Sequence, residues 1–157
     1  MIRNPQKYVP DYKQLSELED VISTSGNGNF RFDLKFTSKS GHDILVDTKN
    51  HNRLSQVFAG EGSMKQLKAY FAAITEFSQL RIVQQKRGSG MTLEGFRGVF
   101  LEVLKKNSSE IFAENPNLFA KLRLKDGTTV STIDLFDEFL ENADLSNQIS
   151  SIVRLTE

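Results

Sequence analysis

Acidic and basic side chains lie at close spacing on two neighbouring strand-like segments. Residues 30–36 alternate apolar and polar side chains with the two-residue period of a half-buried strand, and Asp33 falls on the polar face. A second, apolar run ends at Asp47, which is followed by Thr48 and Lys49. Side chains alternate between the faces of a strand, so Asp47 and Lys49 are expected to point the same way. Two carboxylates and an ammonium on adjacent strands are what a divalent-metal phosphodiesterase site requires.

The patterns around these strands predict a mixed α/β protein. In chain order they predict a helix over 11–22, antiparallel strands over 30–36 and 43–49 joined by a loop over 37–42, a helix over 63–77, a strand over 80–84, a helix over 93–106, a hairpin over 122–130, and helices over 132–142 and 145–155. We therefore expect a central mixed sheet of about four strands, flanked by the helices over 11–22 and 63–77.

Length and composition favour one domain. The chain has 157 residues, for which we expect a core over 11–90 and a mainly helical C-terminal extension over 91–157. It contains no cysteine, which excludes disulfides and thiolate metal sites. No apolar run approaches a membrane span and no signal-peptide pattern is present, so we expect no membrane partner and a cytoplasmic location.

The order of these elements resembles the PD-(D/E)xK nuclease superfamily, which has the restriction-endonuclease-like fold. That family takes one acidic residue from its second core strand and a (D/E)-x-K triplet from its third, and Asp33 and the Asp47–Lys49 triplet match those places. RecB-like members also carry Q-x-x-x-Y on the following helix, where this chain has Gln66 and Tyr70. The resemblance covers residues 11–85.

Two further features belong to the same resemblance. The family has another core strand before the one that bears the first acidic residue, and residues 21–24 are the candidate for it. It can also take an acidic residue from its first helix, for which Glu19 is the candidate. The family's proline is absent before Asp33.

The resemblance implies a Mg²⁺-dependent endonuclease, with Mn²⁺ as a substitute metal. Asp33, Asp47 and the carbonyl oxygen of Thr48 would hold the metal. Lys49 would orient or help deprotonate the attacking water and stabilise charge on the phosphate. The residues Gln66 and Tyr70 would flank this site. The expected reaction is hydrolysis of phosphodiester bonds, with DNA favoured over RNA as the substrate.

Charge is distributed unevenly along the chain. The formal net charge is zero, yet residues 131–157 hold six acidic residues and one arginine, which leaves −5 there and +5 in the remainder. A solvated helix face explains the acidic segment. Nucleic-acid phosphates are therefore expected to meet the basic residues near the proposed site: Lys35, Lys39, Arg53, Lys65, Lys68, Lys86 and Arg87.

Each candidate residue also has an ordinary structural explanation. Asp33 fits the polar face of a strand, and Gln66 fits an S-x-x-Q capping box that opens at Ser63. Tyr70 fits core packing, and Glu19 fits the surface edge of a helix. The histidines at 42 and 51 fit surface loops, because neither belongs to a metal-ligand motif.

Other functions are compatible with the same residues. The chain could be a catalytically inert nucleic-acid-binding or protein-binding module of the same fold, or an unrelated α+β adaptor. A nuclease of this size could also be the toxin domain of a larger polypeptide that is delivered into the cytoplasm of a target cell. An immunity or inhibitor protein would then be its partner.

Overall fold

Five strand-forming segments build one mixed sheet. The computed structural model describes the backbone of residues 18–22, 34–38 and 43–156, with side chains for residues 44–156. The strands are β1 (Leu18–Ile22), β2 (Leu34–Ser38), β3 (Asp43–Lys49), β4 (Leu80–Gln85) and β5 (Val153–Thr156). They lie side by side in the order β1-β2-β3-β4-β5. β2 is antiparallel to both of its neighbours, whereas β3, β4 and β5 run parallel.

The antiparallel hairpin expected from the alternating pattern is present. In the backbone register Leu34 pairs with Val46 and Phe36 with Ile44, so apolar positions of β2 lie opposite apolar positions of β3. β2 extends to Ser38, two residues beyond the predicted strand. Asp33 lies outside the described residues.

Six helices lie within the part of the chain that the structure describes. They are α1 (Gly60–Ala72), α2 (Leu93–Lys106), α3 (Ser108–Glu114), α4 (Pro116–Phe119), α5 (Ile133–Glu141) and α6 (Ala143–Ser150). The starts of α2 and α5 are capped by threonine, since Thr92 accepts a hydrogen bond from the backbone N–H of Gly95 and Thr132 from that of Leu135. The predicted hairpin at 122–130 forms around Gly127, whose φ of 88° lies in the left-handed region.

The C-terminal half of the chain belongs to the core. One continuous apolar cluster joins residues of α1 and β4 to those of α2 through α6 and β5. Phenylalanines connect these helices, and the ring centroids of Phe119 and Phe136 are 4.8 Å apart. The segment over 91–157 supplies β5 and much of the buried apolar surface.

Two predicted helices are wrong in part. Residues 18–22 form strand β1, because Val21 and Ile22 pair with β2 and this non-local pairing overrides a helical spacing of apolar residues. The predicted helix over 145–155 ends at Ser150, and its last residues form β5 beside β4. Residues 11–17 of the predicted first helix lie outside the described residues.

Candidate active site

The carboxylate of Asp47 and the ammonium of Lys49 lie together near the end of β3. Asp47 pairs with Ile82 in the middle of the parallel β3–β4 pairing, and 4% of its side chain is exposed. The Nζ atom of Lys49 lies 3.1 Å from Oδ2 of Asp47, and 12% of the Lys49 side chain is exposed. Both side chains thus lie on one face of the strand, as its two-residue period requires. Thr48, which lies between them, is exposed.

Helix α1 brings Gln66 to this pair. The Nζ atom of Lys49 donates a hydrogen bond of 2.7 Å to Oε1 of Gln66, a contact between residues 17 positions apart. The prediction that Gln66 closes a capping box with Ser63 is wrong, because α1 begins at Gly60 and its N-cap residue is Ala59. Gln66 therefore lies inside the helix, and the Lys49 ammonium is the partner of its side chain.

Tyr70 follows Gln66 by one helical turn and is part of the core. Its exposure is 2%, and it belongs to the same apolar cluster as Leu67 and Phe71. These contacts fix the position of α1 on the sheet, and with it the position of Gln66. The packing explanation for Tyr70 is confirmed.

The structure describes little of the other predicted site residues. Glu19 lies on strand β1, so the prediction of a helix-borne carboxylate is wrong, and its side chain is outside the described part. Asp33 and His42 lie outside the described residues. Among the side chains of residues 44–156, no group of three histidine or acidic residues lies together in a way that could hold a metal ion.

Gln84, which the sequence analysis did not select, and Arg87, which it predicted only as a phosphate contact, hold the chain where it leaves β3. Gln84 is buried on β4, donates a 2.9 Å hydrogen bond to the backbone oxygen of His51 and accepts a 3.3 Å bond from its N–H. Arg87 donates from Nε to Oδ1 of Asn50 over 3.0 Å, and its Nη2 donates to the same oxygen. The position of Gln84 directly after the apolar residues Ile82 and Val83 of β4 is a weak signal for a buried polar side chain.

The basic residues divide into groups with different surroundings. Lys68 points towards α3, where its Nζ lies 3.6 Å from Oε1 of Glu114 and 3.8 Å from Oε2 of Glu110. Helical geometry places Lys68 about 200° around α1 from Gln66, so the expectation that Lys68 serves the Lys49 site needs correction. Arg53 lies in the loop that follows β3, and Arg87 lies in the loop that follows β4. The side chains of Lys35 and Lys39 are outside the described part.

The acidic residues of the C-terminal segment form a solvated face. Within the described part they are all exposed on α5 and α6: Asp134, Asp137, Glu138, Glu141 and Asp144. Asp137 accepts a hydrogen bond from the hydroxyl of Ser108 and thereby connects α5 to α3.

None of the helices that the structure describes is long and apolar enough to cross a membrane. Comparison of the chain with protein-family models, with curated proteins and with solved structures found no match.

Proposed function

We propose that this chain is a metal-dependent nuclease that hydrolyses phosphodiester bonds of DNA, with Asp47 and Lys49 at its centre. The observation that carries the proposal is the position of the Lys49 ammonium, which lies 3.1 Å from Asp47 and 2.7 Å from Gln66. The D-x-K and Q-x-x-x-Y spacings predict all three as site residues. Neither helix capping nor core packing explains why Gln66 meets Lys49.

The order of elements supports the same proposal. The described chain runs β1, β2, β3, α1 and β4, and the family that it resembles has a core strand before the acidic one, then the (D/E)-x-K strand, a helix and a further strand. β1 overlaps the candidate for that first strand at residues 21 and 22. The restriction-endonuclease-like assignment of this sheet is part of the proposal.

The donor atoms fit a hard divalent cation. Asp47 would contribute its buried carboxylate, and Thr48, the next residue, would contribute its backbone carbonyl. Asp33 is the proposed second carboxylate; it directly precedes Leu34, whose partner on β3 is Val46, the neighbour of Asp47. Mg²⁺ prefers oxygen ligands and keeps several waters, so such a set is sufficient, and Mn²⁺ would substitute. When bound, the metal would activate a water and neutralise charge on the phosphate.

Lys49 is the residue that would act on the reacting groups. Its ammonium is largely shielded from water, and low exposure strengthens its electrostatic effect on a developing negative charge. Gln66 is a neutral acceptor, so it fixes the ammonium without cancelling its charge. Lys49 could then orient the attacking water and stabilise the charge that grows on the phosphate.

Variants of Asp47 and Lys49 separate metal binding from catalysis. Asp47→Ala removes a metal ligand, so both Mn²⁺ binding by calorimetry and DNA cleavage should collapse. Lys49→Ala leaves the carboxylates in place, so Mn²⁺ should still bind while cleavage falls ~10²–10⁴-fold. Lys125→Ala removes one charge from an exposed hairpin turn and should change neither. Unchanged metal binding in Asp47→Ala, or unchanged cleavage in Lys49→Ala, contradicts the assigned roles.

A wild-type chain that binds neither Mg²⁺ nor Mn²⁺ and cleaves no nucleic acid would favour the inert binding module instead. The Lys49–Gln66 contact would then be a structural bond between α1 and the sheet.

A further inference from the structure

A small cleft lined by two arginines opens at the loops through which the chain leaves β3 and β4. Its volume is about 270 Å³, and its lining comes from the loops after β3 and β4: Asn52, Arg53, Leu54, Arg87, Gly90 and Met91. The lining includes no acidic residue. None of the ion pairs among the described side chains involves Arg53 or Arg87. Two arginines that form no ion pair with the described side chains therefore line one cleft.

Arg87 is held in place by neutral groups. Its backbone N–H donates a 3.3 Å hydrogen bond to Sδ of the buried Met91, and Gly88, with a φ of 79°, shapes the turn between them. Its guanidinium donates from both Nε and Nη2 to the amide oxygen of Asn50. An amide oxygen orients the guanidinium and leaves its full positive charge for another partner.

Arg53 also projects from a fixed backbone. Its carbonyl oxygen accepts a 3.1 Å hydrogen bond from the N–H of Gln56 and opens a 3-10 turn at Leu54–Gln56. The side chain of Leu54 docks on α2 so closely that a Cβ atom at Gly95 would lie 2.8 Å from Leu54 Cδ1. The turn is thus seated on the helix, and Arg53 keeps its place at the cleft.

We propose that the Arg53–Arg87 cleft binds one phosphate group of the nucleic-acid substrate. A guanidinium donates in a planar fork that matches phosphate oxygens, and two such groups in a confined space provide charge and geometry together. The cleft lies on the chain segment that leaves Lys49, because Asn50 follows Lys49 directly and contacts Arg87. The bound phosphate is therefore a neighbour of the scissile one, and this inference rests on the proposed nuclease function. Phosphate contacts of this kind set the register of a substrate and not its sequence preference.

The test measures binding without cleavage. Single-stranded oligonucleotides that carry either a 5′-phosphate or a 5′-hydroxyl are titrated in EDTA at fixed salt, with fluorescence anisotropy as the readout. Arg53→Ala and Arg87→Ala should each weaken binding about tenfold, as expected for one lost hydrogen bond to a charged group. The control Lys125→Ala, with the same change in net charge, should stay within about twofold. Wild-type affinity in both arginine variants overturns the proposal.

Asn50→Asp distinguishes a phosphate-binding role of Arg87 from a purely structural contact between Arg87 and Asn50. The carboxylate keeps the acceptor for Arg87 and compensates its charge, so the loop stays fixed while phosphate binding weakens about tenfold. If Arg87 only holds the loop in place, Asn50→Asp binds the oligonucleotides like wild type, and the proposal fails. The two oligonucleotides identify the phosphate: a preference for the 5′-phosphate assigns a terminal group, and equal binding assigns an internal phosphodiester.

The outcomes separate this proposal from the nuclease itself. If the arginine variants lose phosphate binding but the wild type cleaves nothing, the cleft is retained and the nuclease function is rejected. If the wild type cleaves DNA and the arginine variants bind and cleave like it, the cleft alone is rejected.

Discussion

Replacing Gln66 by alanine removes the neutral acceptor of the Lys49 ammonium and leaves the helix start untouched. A hydrogen bond to a charged group contributes about 1.5–3 kcal/mol. Alanine recovers a few tenths of a kcal/mol through its higher helix propensity. The 12% exposure of Lys49 lets water replace part of the lost bond. The free energy of unfolding should therefore fall by about 1–2 kcal/mol, measured by urea denaturation and circular dichroism.

Lys65→Ala is the matched control for this change. Lys65 is exposed one position earlier on α1 and should alter stability by no more than about 0.5 kcal/mol. DNA cleavage by Gln66→Ala should fall about 10–100-fold, the usual effect of removing a residue that orients a reacting group. Lys65→Ala should cleave within a few-fold of wild type, since Lys65 could contact a substrate phosphate but does not hold Lys49.

Gln66→Glu separates stability from activity. The carboxylate still accepts the Lys49 hydrogen bond, so stability should return to the wild-type value or exceed it. Its negative charge compensates the ammonium, so cleavage should stay low. Wild-type cleavage by Gln66→Glu, or equal stability of Gln66→Ala and Lys65→Ala, would refute the role given to Gln66.

Two further predictions concern the scaffold around the site. Helix propensity alone should raise the free energy of unfolding by up to about 1 kcal/mol in both Gly95→Ala and Gly98→Ala. Of these two positions, only Gly95 would bring the new Cβ within 2.8 Å of Leu54 Cδ1 and 3.1 Å of Thr92 Oγ1. This overpacking should lower the free energy of unfolding of Gly95→Ala by about 1–3 kcal/mol. Urea denaturation should rank Gly98→Ala above wild type and Gly95→Ala below it; equal stability of the two variants contradicts the packing of Leu54. In the hairpin turn, the Asp126 carboxylate accepts hydrogen bonds from the hydroxyl and from the backbone N–H of Thr128. These bonds lower the pKa of Asp126 below its ordinary value of 3.8. The contribution of this contact to stability is thus present above that pH and lost as the pH falls through the lowered pKa. Titration followed by NMR should show a higher midpoint in Thr128→Val, and an unchanged midpoint would contradict the assignment.

Local sequence patterns are sufficient to predict the residues at the centre of the site. The alternation over 30–36 and the apolar run before Asp47 predicted the β2–β3 hairpin, and the period of a strand placed Asp47 beside Lys49. The Q-x-x-x-Y spacing predicts Gln66 as a site residue, and its side chain contacts Lys49.

Non-local pairing explains what the sequence analysis missed. β1 and β5 are short, and each is a strand because of the strand beside it: Val21 pairs with Phe36, and Val153 pairs with Ile82. Their apolar spacing taken alone also suits a helix. The roles of Gln84 and Arg87 depend on the register that brings Lys49 opposite Gln84 in the parallel pair. No local pattern encodes that register.

The proposed activity is cleavage of phosphodiester bonds by Asp47 and Lys49 with the help of a divalent metal. Plasmid DNA, linear DNA and RNA are each incubated with wild-type protein and with Asp47→Ala, in Mg²⁺ and in EDTA, and resolved on gels. Wild-type protein should nick or linearise the plasmid in Mg²⁺ only, and Asp47→Ala should be inactive under both conditions. Absence of cleavage by the wild type, or cleavage that persists in EDTA or in Asp47→Ala, would contradict the proposed activity.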